Sequence, residues 1–89
     1  MYAPDVKTID VGRRPLEDYV FEAIVSFREG VNEIILKGRG ETISKAVDLY
    51  WRIKDRLGDS IELIEVKIGS ERFKGRTRSF IAIRIRRKY

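Results

Sequence analysis

One stretch constrains this chain more than any other: Ile34-Ile35-Leu36-Lys37-Gly38-Arg39-Gly40-Glu41-Thr42-Ile43-Ser44-Lys45-Ala46-Val47. A β-branched apolar run ends in two glycines around an arginine, and apolar residues at helical spacing begin at once, which predicts strand, tight turn and helix. Gly38 and Gly40 permit backbone conformations that other residues avoid and leave the turn bare. The unpaired amides that open the helix, together with its dipole, favour an anion, and Arg39 adds a full positive charge beside them. The same residues also suit an ordinary strand-to-helix turn whose glycines serve geometry alone.

The rest of the chain arranges itself around that unit. Met1 to Asp5 reads as a loose lead-in, and Val6 to Val11 alternates as a first strand. Gly12-Arg13-Arg14-Pro15 breaks it, with Pro15 suited to a first helical turn. Leu16, Tyr19, Val20, Ala23, Ile24 and Phe27 then recur at spacings of three and four along an amphipathic helix closed by Arg28 and Gly30. A second strand is expected at about Val31 to Lys37 and a second helix at about Thr42 to Arg56, its stripe being Ile43, Ala46, Val47, Tyr50, Ile53 and Leu57. Leu49 and Trp51 point away from that stripe, which fits either a wide core face or, with Leu57, contact with another subunit.

Ile61 to Ile68 and Phe80 to Ile85 read as third and fourth strands. Ile64, Val66 and Ile68 alternate, as do Ile81, Ile83 and Ile85, so each strand offers a face to the core. Ile61 and Leu63 fall on the opposite phase, which suggests a bulge near Leu63 and Ile64. Residues 69–79 between these strands are polar and basic and predict a hairpin extending past the body. Arg72, Lys74, Arg76 and Arg78 recur at every second position, so an extended ribbon would carry them on one face and Phe73 on the other. Such a ribbon suits a nucleic-acid groove, where phosphates supply affinity and the narrow minor groove draws in Arg. A solvated edge strand guarded by charge is the plainer reading. Arg84, Arg86, Arg87 and Lys88 extend the basic character to the C-terminus.

The order is β-α-β-α-β-β: an α+β two-layer sandwich with a four-stranded mixed sheet, both helices on one face, and a long hairpin arm between the last two strands. Residues 1–89 read as a single domain. Parallel first and second strands joined through the first helix bring Gly12-Arg13-Arg14-Pro15 and Gly38-Arg39-Gly40 side by side at one sheet edge. Crevices at the carboxyl ends of parallel strands are the usual ligand sites of such sheets, and arginine suits bidentate phosphate contact.

Composition narrows the function classes. The 89 residues hold 19 Lys and Arg against 14 Asp and Glu, for a formal charge of +5. That balance favours polyanions, and the small core leaves room for a partner subunit. The absence of Cys and His removes thiolate metal sites, the commonest general base and the commonest metal ligand. An enzyme would then need carboxylates holding a metal, and Asp10, Glu41 and Asp48 lack any such signature. No enzyme activity, metal or cofactor is expected. Without a membrane-length apolar run or signal-like h-region, the chain reads as cytosolic with no membrane partner. High charge, a single asparagine (Asn32) and no glutamine suit a protein from a hot environment.

The chain resembles the Alba family, small dimeric nucleic-acid-binding proteins of archaeal chromatin with eukaryotic relatives in ribonuclease P and MRP particles. The resemblance runs from Val11 to Arg86. It is most specific at Lys37-Gly38-Arg39-Gly40 followed by Ile43-Ser44-Lys45-Ala46-Val47-Asp48, with support from Gly12-Arg13-Arg14-Pro15, Tyr19-Val20, Glu65-Val66-Lys67-Ile68-Gly69-Ser70 and Ile81-Ala82-Ile83. It implies the fold of the C-terminal domain of the third bacterial translation initiation factor. It also implies a dimer that lays body loops across the duplex backbone while hairpin arms enter flanking minor grooves without reading sequence.

In family terms Arg13 and Arg14 match the paired basic residues of the first loop and Arg39 the arginine of the second. Gly40, Lys37 and Lys45 lie beside them, and Arg72, Lys74, Arg76 and Arg78 belong to the arm; Arg86, from the basic C-terminal end, is a further candidate nucleic-acid contact. Three departures stand out. Both first-loop cations are arginine, so lysine acetylation cannot act there. Glu41 stands where many relatives carry a basic or small residue. Leu57 lies where some relatives place a phenylalanine that joins neighbouring dimers. This pattern resembles a divergent second paralogue. The implied partners are double-stranded DNA, with RNA as the alternative, and a second copy or a paralogue in a dimer located on the chromosome (nucleoid) in the cytoplasm.

Overall fold

The computed structural model describes residues 5–89, so the expected lead-in at Met1 to Pro4 lies outside the described residues. A first strand, β1 (Val6–Asp10), leads through the arginine turn to helix α1 (Leu16–Arg28). Strand β2 (Glu33–Arg39) and a 3₁₀ turn (Gly40–Thr42) lead into helix α2 (Ile43–Leu57), and a second 3₁₀ turn (Gly58–Ser60) opens a hairpin of β3 (Ile61–Phe73) and β4 (Arg76–Arg87). The sheet order is β1-β2-β4-β3, with β1 and β2 parallel and the other pairs antiparallel. The α+β, β-α-β-α-β-β architecture expected from the sequence is the one observed.

Local chemistry places the helix ends. Pro15 precedes α1 with its carbonyl accepting from Asp18 N–H at 3.0 Å, and Glu17 and Asp18 complement the dipole in the first turn. Gly30 closes the far end at φ 105°, where only glycine is unstrained.

The core occupies one face of the sheet. Ile9, Ile34, Leu36, Ile81, Ile83 and Ile85 point into it and meet Tyr19, Val20, Ala23 and Phe27 of α1 and Ala46, Leu49 and Ile53 of α2. Residues of the other phase, among them Thr8, Asp10, Ile35, Lys37, Arg39, Ala82 and Arg84, line an open groove of about 390 Å³ on the far side.

Three expectations are corrected. Leu49 is fully buried (0 % exposed) and so cannot supply a subunit contact. The burial line of α2 runs Ala46, Leu49, Ile53, with Ile43, Val47, Tyr50 and Leu57 as partly covered flanks; the apolar residues span more than one helical face and their spacing did not reveal the centre. Secondly, β3 does not bury its alternating face. Ile81, Ile83 and Ile85 are 8 %, 3 % and 0 % exposed, whereas their cross-strand partners Ile68, Val66 and Leu63 are 77 %, 51 % and 46 % exposed. Cross-strand partners share a face, so these three point to the helix side of the sheet, but β3 is an outer strand and only its first residue, Ile61, is buried in the core. The expected irregularity is present, as a register shift between Leu63 and Glu65.

The third correction concerns the arm. Strand pairing continues to Phe73 and Arg76, closed by the two-residue turn Lys74-Gly75 with φ of 50° and 78°, the type I′ geometry that matches strand twist. Pairing across a two-residue turn joins positions of opposite parity. Phe73 faces with Arg76, and Glu71 with Arg78, while Arg72 pairs with Thr77 on the other face. The cations therefore occupy both faces of the ribbon.

Candidate nucleic-acid interface

The two arginine-bearing turns are neighbours, as the parallel strands require. Val11 N–H donates to Lys37 O at 2.9 Å, and Lys45, at the start of α2, reaches across to donate to Gly12 O at 2.7 Å and Arg14 O at 2.5 Å. Tyr19 completes the pin. Its phenolic oxygen accepts from Gly12 N–H at 2.7 Å and Arg14 N–H at 3.3 Å, while the Arg14 guanidinium lies 4.5 Å from its ring centroid. Burial pushes the Tyr19 hydroxyl up, but the bonds from Gly12 and Arg14 outweigh it and hold the phenol below its ordinary pKa. The sequence placed Tyr19 in the apolar stripe and in a segment of the family resemblance but gave its hydroxyl no role; a hydroxyl at the top of that stripe, facing a Gly-Arg-Arg turn, was the available signal.

The second turn is formed differently from expectation. Gly38 and Arg39 belong to β2, paired with Ile81 and Phe80, because β4 runs opposite them to its full length. The turn proper is held by Thr42, whose Oγ1 accepts from Arg39 N–H at 2.9 Å and donates to Arg39 O at 3.1 Å. A Cβ on Gly38 would lie 2.5 Å from Thr42 O, so this glycine serves close packing. Gly40, at φ 53° with open space around it, serves conformation.

Arg39 lies on the open sheet face among carboxylates. Its Nε donates to Glu71 Oε2 at 2.5 Å and its Nη1 to Asp10 Oδ1 at 2.7 Å. Lys37 Nζ lies 3.3 Å from Glu71 Oε1 and 4.7 Å from the Phe80 ring. Arg78 stacks 3.9 Å over Phe73 with its Nε 4.0 Å from Glu71. Asp10 and then Glu71 raise the Arg39 guanidinium further above its ordinary value.

The sequence-predicted cations thus divide by partner. Arg14 pairs with Glu22 at 2.7 Å, Arg86 with Glu62 at 2.5 Å, Lys37 and Arg39 with Glu71, and Lys45 with loop carbonyls. Arg13, Lys74 and Arg76 are exposed with no ion pair among the described residues, and Arg72 makes only a 3.4 Å contact to Gly75 O. Of the candidate cations, those without an ion pair lie on the first turn and the arm; Arg28, Lys67 and Lys88 are likewise exposed and without an ion pair among the described residues. Of the residues proposed for subunit contact, Trp51 is exposed and Leu57 half-buried. Among the described residues no group of three His, Cys, Asp or Glu could hold a metal, and no helix is long and apolar enough to cross a membrane.

The Alba family model matches residues 7–70. The chain belongs to the Alba family. It is 50 % identical over 74 residues to the "DNA/RNA-binding protein Alba 2" of Saccharolobus solfataricus, covering 83 % of each chain, in keeping with the expected likeness to a second paralogue. It is 35 % identical over 83 residues to the "DNA/RNA-binding protein Alba" of Pyrobaculum islandicum, covering 89 % of this chain and 90 % of that one. The solved structure of Alba from Thermoplasma volcanium superposes with a TM-score of 0.83 at 32 % identity, covering 90 % of this chain and 99 % of that one. The pairing of Asp10 and Glu71 with Arg39 was missed by sequence reading, since neither acid belongs to a local motif with it.

Proposed function

We propose that this protein is a dimeric, sequence-independent binder of double-stranded DNA that coats and compacts the chromosome in the cytoplasm. The observation that carries this reading is the placement of cations without an ion pair on the two projecting features: Arg13 on the first turn, with Arg72, Lys74 and Arg76 on both faces of the ribbon. A flat anionic surface would engage one face of such a ribbon. A groove with a phosphate wall on each side engages both, which suits the minor groove of a duplex. In this reading neither α1 nor α2 reads bases, and phosphates and groove shape supply the contacts.

The uncovered strip Leu63, Val66 and Ile68 supplies the dimer contact in this reading, in place of Leu49. Two linked bodies present two arms and two pairs of turns to one duplex, raising affinity through effective concentration. The relatives' printed names include RNA, and turns of Gly and Arg meet phosphate in either polymer, so RNA is the second reading.

The test is salt. For a duplex, log affinity should fall linearly with log salt at about −0.9 per phosphate contact. A flat salt response would overturn the proposal. Competition between duplex DNA and RNA of equal length, at one salt concentration, separates the two readings.

A further inference from the structure

On the open face of the sheet the carboxylate of Glu71 meets three cations. Its Oε2 accepts from Arg39 Nε at 2.5 Å, its Oε1 lies 3.3 Å from Lys37 Nζ, and Arg78 Nε lies 4.0 Å away. Arg39 belongs to β2 and Glu71 to β3, with β4 between them, so the contact spans the sheet and ties the base of the arm to the body. Asp10 holds the other edge of Arg39 at 2.7 Å. In the free protein both of these edges of the guanidinium are therefore occupied.

The cluster is not fully satisfied by what it contains. Lys37, Arg39 and Arg78 outnumber Asp10 and Glu71 by one charge, and Arg78 Nε is buried without a hydrogen-bond partner. Glu71 faces its cations with about a quarter of its side chain exposed (27 %), as do Lys37 (24 %) and Arg39 (30 %), so an incoming anion has access. The acceptor such a site lacks is a larger anion with oxygens in more directions than a planar carboxylate provides.

We infer that Glu71 is a resident counter-anion occupying a phosphate site formed by Lys37, Arg39 and Arg78, and that a nucleic-acid phosphate displaces it on binding. This rests on the proposed nucleic-acid function and adds to it a residue that sets affinity. While Glu71 is in place, Arg39 contributes little to long-range attraction and the arm base is tied down. Displacement frees Lys37 and the Glu71-facing edge of Arg39 and unties the side-chain link from the arm base to β2, while Asp10 keeps the other edge of Arg39 and backbone pairing keeps the arm in place.

The test compares Glu71→Gln with Glu65→Gln. Glu65 is an exposed acid of the same strand and sheet face, without an ion-pair partner among the described residues, so its substitution removes the same charge and leaves the cluster intact. Glu71→Gln should bind a 20-base-pair duplex about fivefold more tightly at low salt, with the salt slope steeper by about 0.9, while Glu65→Gln shifts affinity less and leaves the slope unchanged. Equal effects from the two variants, or a Glu71→Gln protein that binds no more tightly than the unmodified chain, would overturn the inference. A measurement without substitution stands beside it: on adding duplex, the Arg39 Nε–H and Glu71 carboxyl resonances should both move. Unmoved resonances in the saturated complex would show the pair intact and overturn the displacement. Failure of the unmodified protein to bind duplex in a salt-dependent way would remove the parent reading as well, an outcome distinct from the other two.

Discussion

At the residue scale, single atoms position the charged turns. Tyr19 Oη is the acceptor for Gly12 and Arg14 N–H, and Tyr19→Phe should cost about 1–2 kcal/mol by leaving those donors without it. Amide exchange at Gly12 and Arg14 should accelerate in that variant while α1 stays protected; unchanged exchange would show that Lys45 alone holds the turn. The two glycines flanking Arg39 make a second contrast. Gly38→Ala drives a Cβ to 2.5 Å from Thr42 O and 2.9 Å from Ala46 Cβ, against backbone on one side. Overpacking of that kind costs about 1–3 kcal/mol. Gly40→Ala meets open space and bears only the left-handed backbone, roughly 1 kcal/mol. Thermal or denaturant unfolding of the two variants should rank them in that order.

At the element scale, the arm is an extension of the sheet whose direction and faces come from backbone pairing. Past Ile68 no apolar alternation remains, yet the β3–β4 ladder continues to Phe73 and Arg76, with the Phe80 ring laid against Gly69 at 2.9 Å from where a Cβ would stand. Arg72 and Arg76 lie on opposite faces of the ribbon, and the groove reading requires both to meet phosphate. Arg72→Ala and Arg76→Ala should each reduce the salt slope for duplex binding by about 0.9. A loss confined to one of them would mean that only one face engages. This arm also marks the limit of what sequence made legible. Periodicity located both helices to within about a residue at each end and the bulge near Leu63, because apolar spacing responds to a buried face. It could not carry facing through the Lys74-Gly75 turn, where parity depends on the length of the turn. Nor could it find Glu71, whose partners lie 32 and 34 residues away on another strand and are joined to it only by tertiary contact.

At the scale of the whole molecule, charge and apolar surface each lead to a measurable consequence. Arg86 holds the Glu62 carboxyl below its ordinary range. At Glu71 burial pushes upward, but Arg39 and Lys37 outweigh it and the net is again downward. A carboxyl depressed in the folded state stabilises the fold in full above its unfolded pKa, about 4.3 for Glu, and loses that contribution as pH falls through the lower folded value. The melting temperature should therefore hold down to about pH 5 and decline below it. The decline should be shallower in a Glu62→Gln, Glu71→Gln double variant. The apolar consequence is larger. Leu63, Val66 and Ile68 form an exposed row on the helix side of β3 next to a core whose β4 residues are closed, and in the proposed dimer a second copy covers it. Ile68, 77 % exposed, makes no large contribution to packing within one chain, so Ile68→Asp should leave the monomer fold intact while placing a charge in the middle of the row. Sedimentation equilibrium should show a dimer for the unmodified protein and a monomer for the variant. Duplex affinity should fall by at least about tenfold, because the second set of turns and arm is no longer tethered to the first. A variant that stays dimeric would move the interface elsewhere on the molecule, with Trp51 on the outer face of α2 as the next surface to alter.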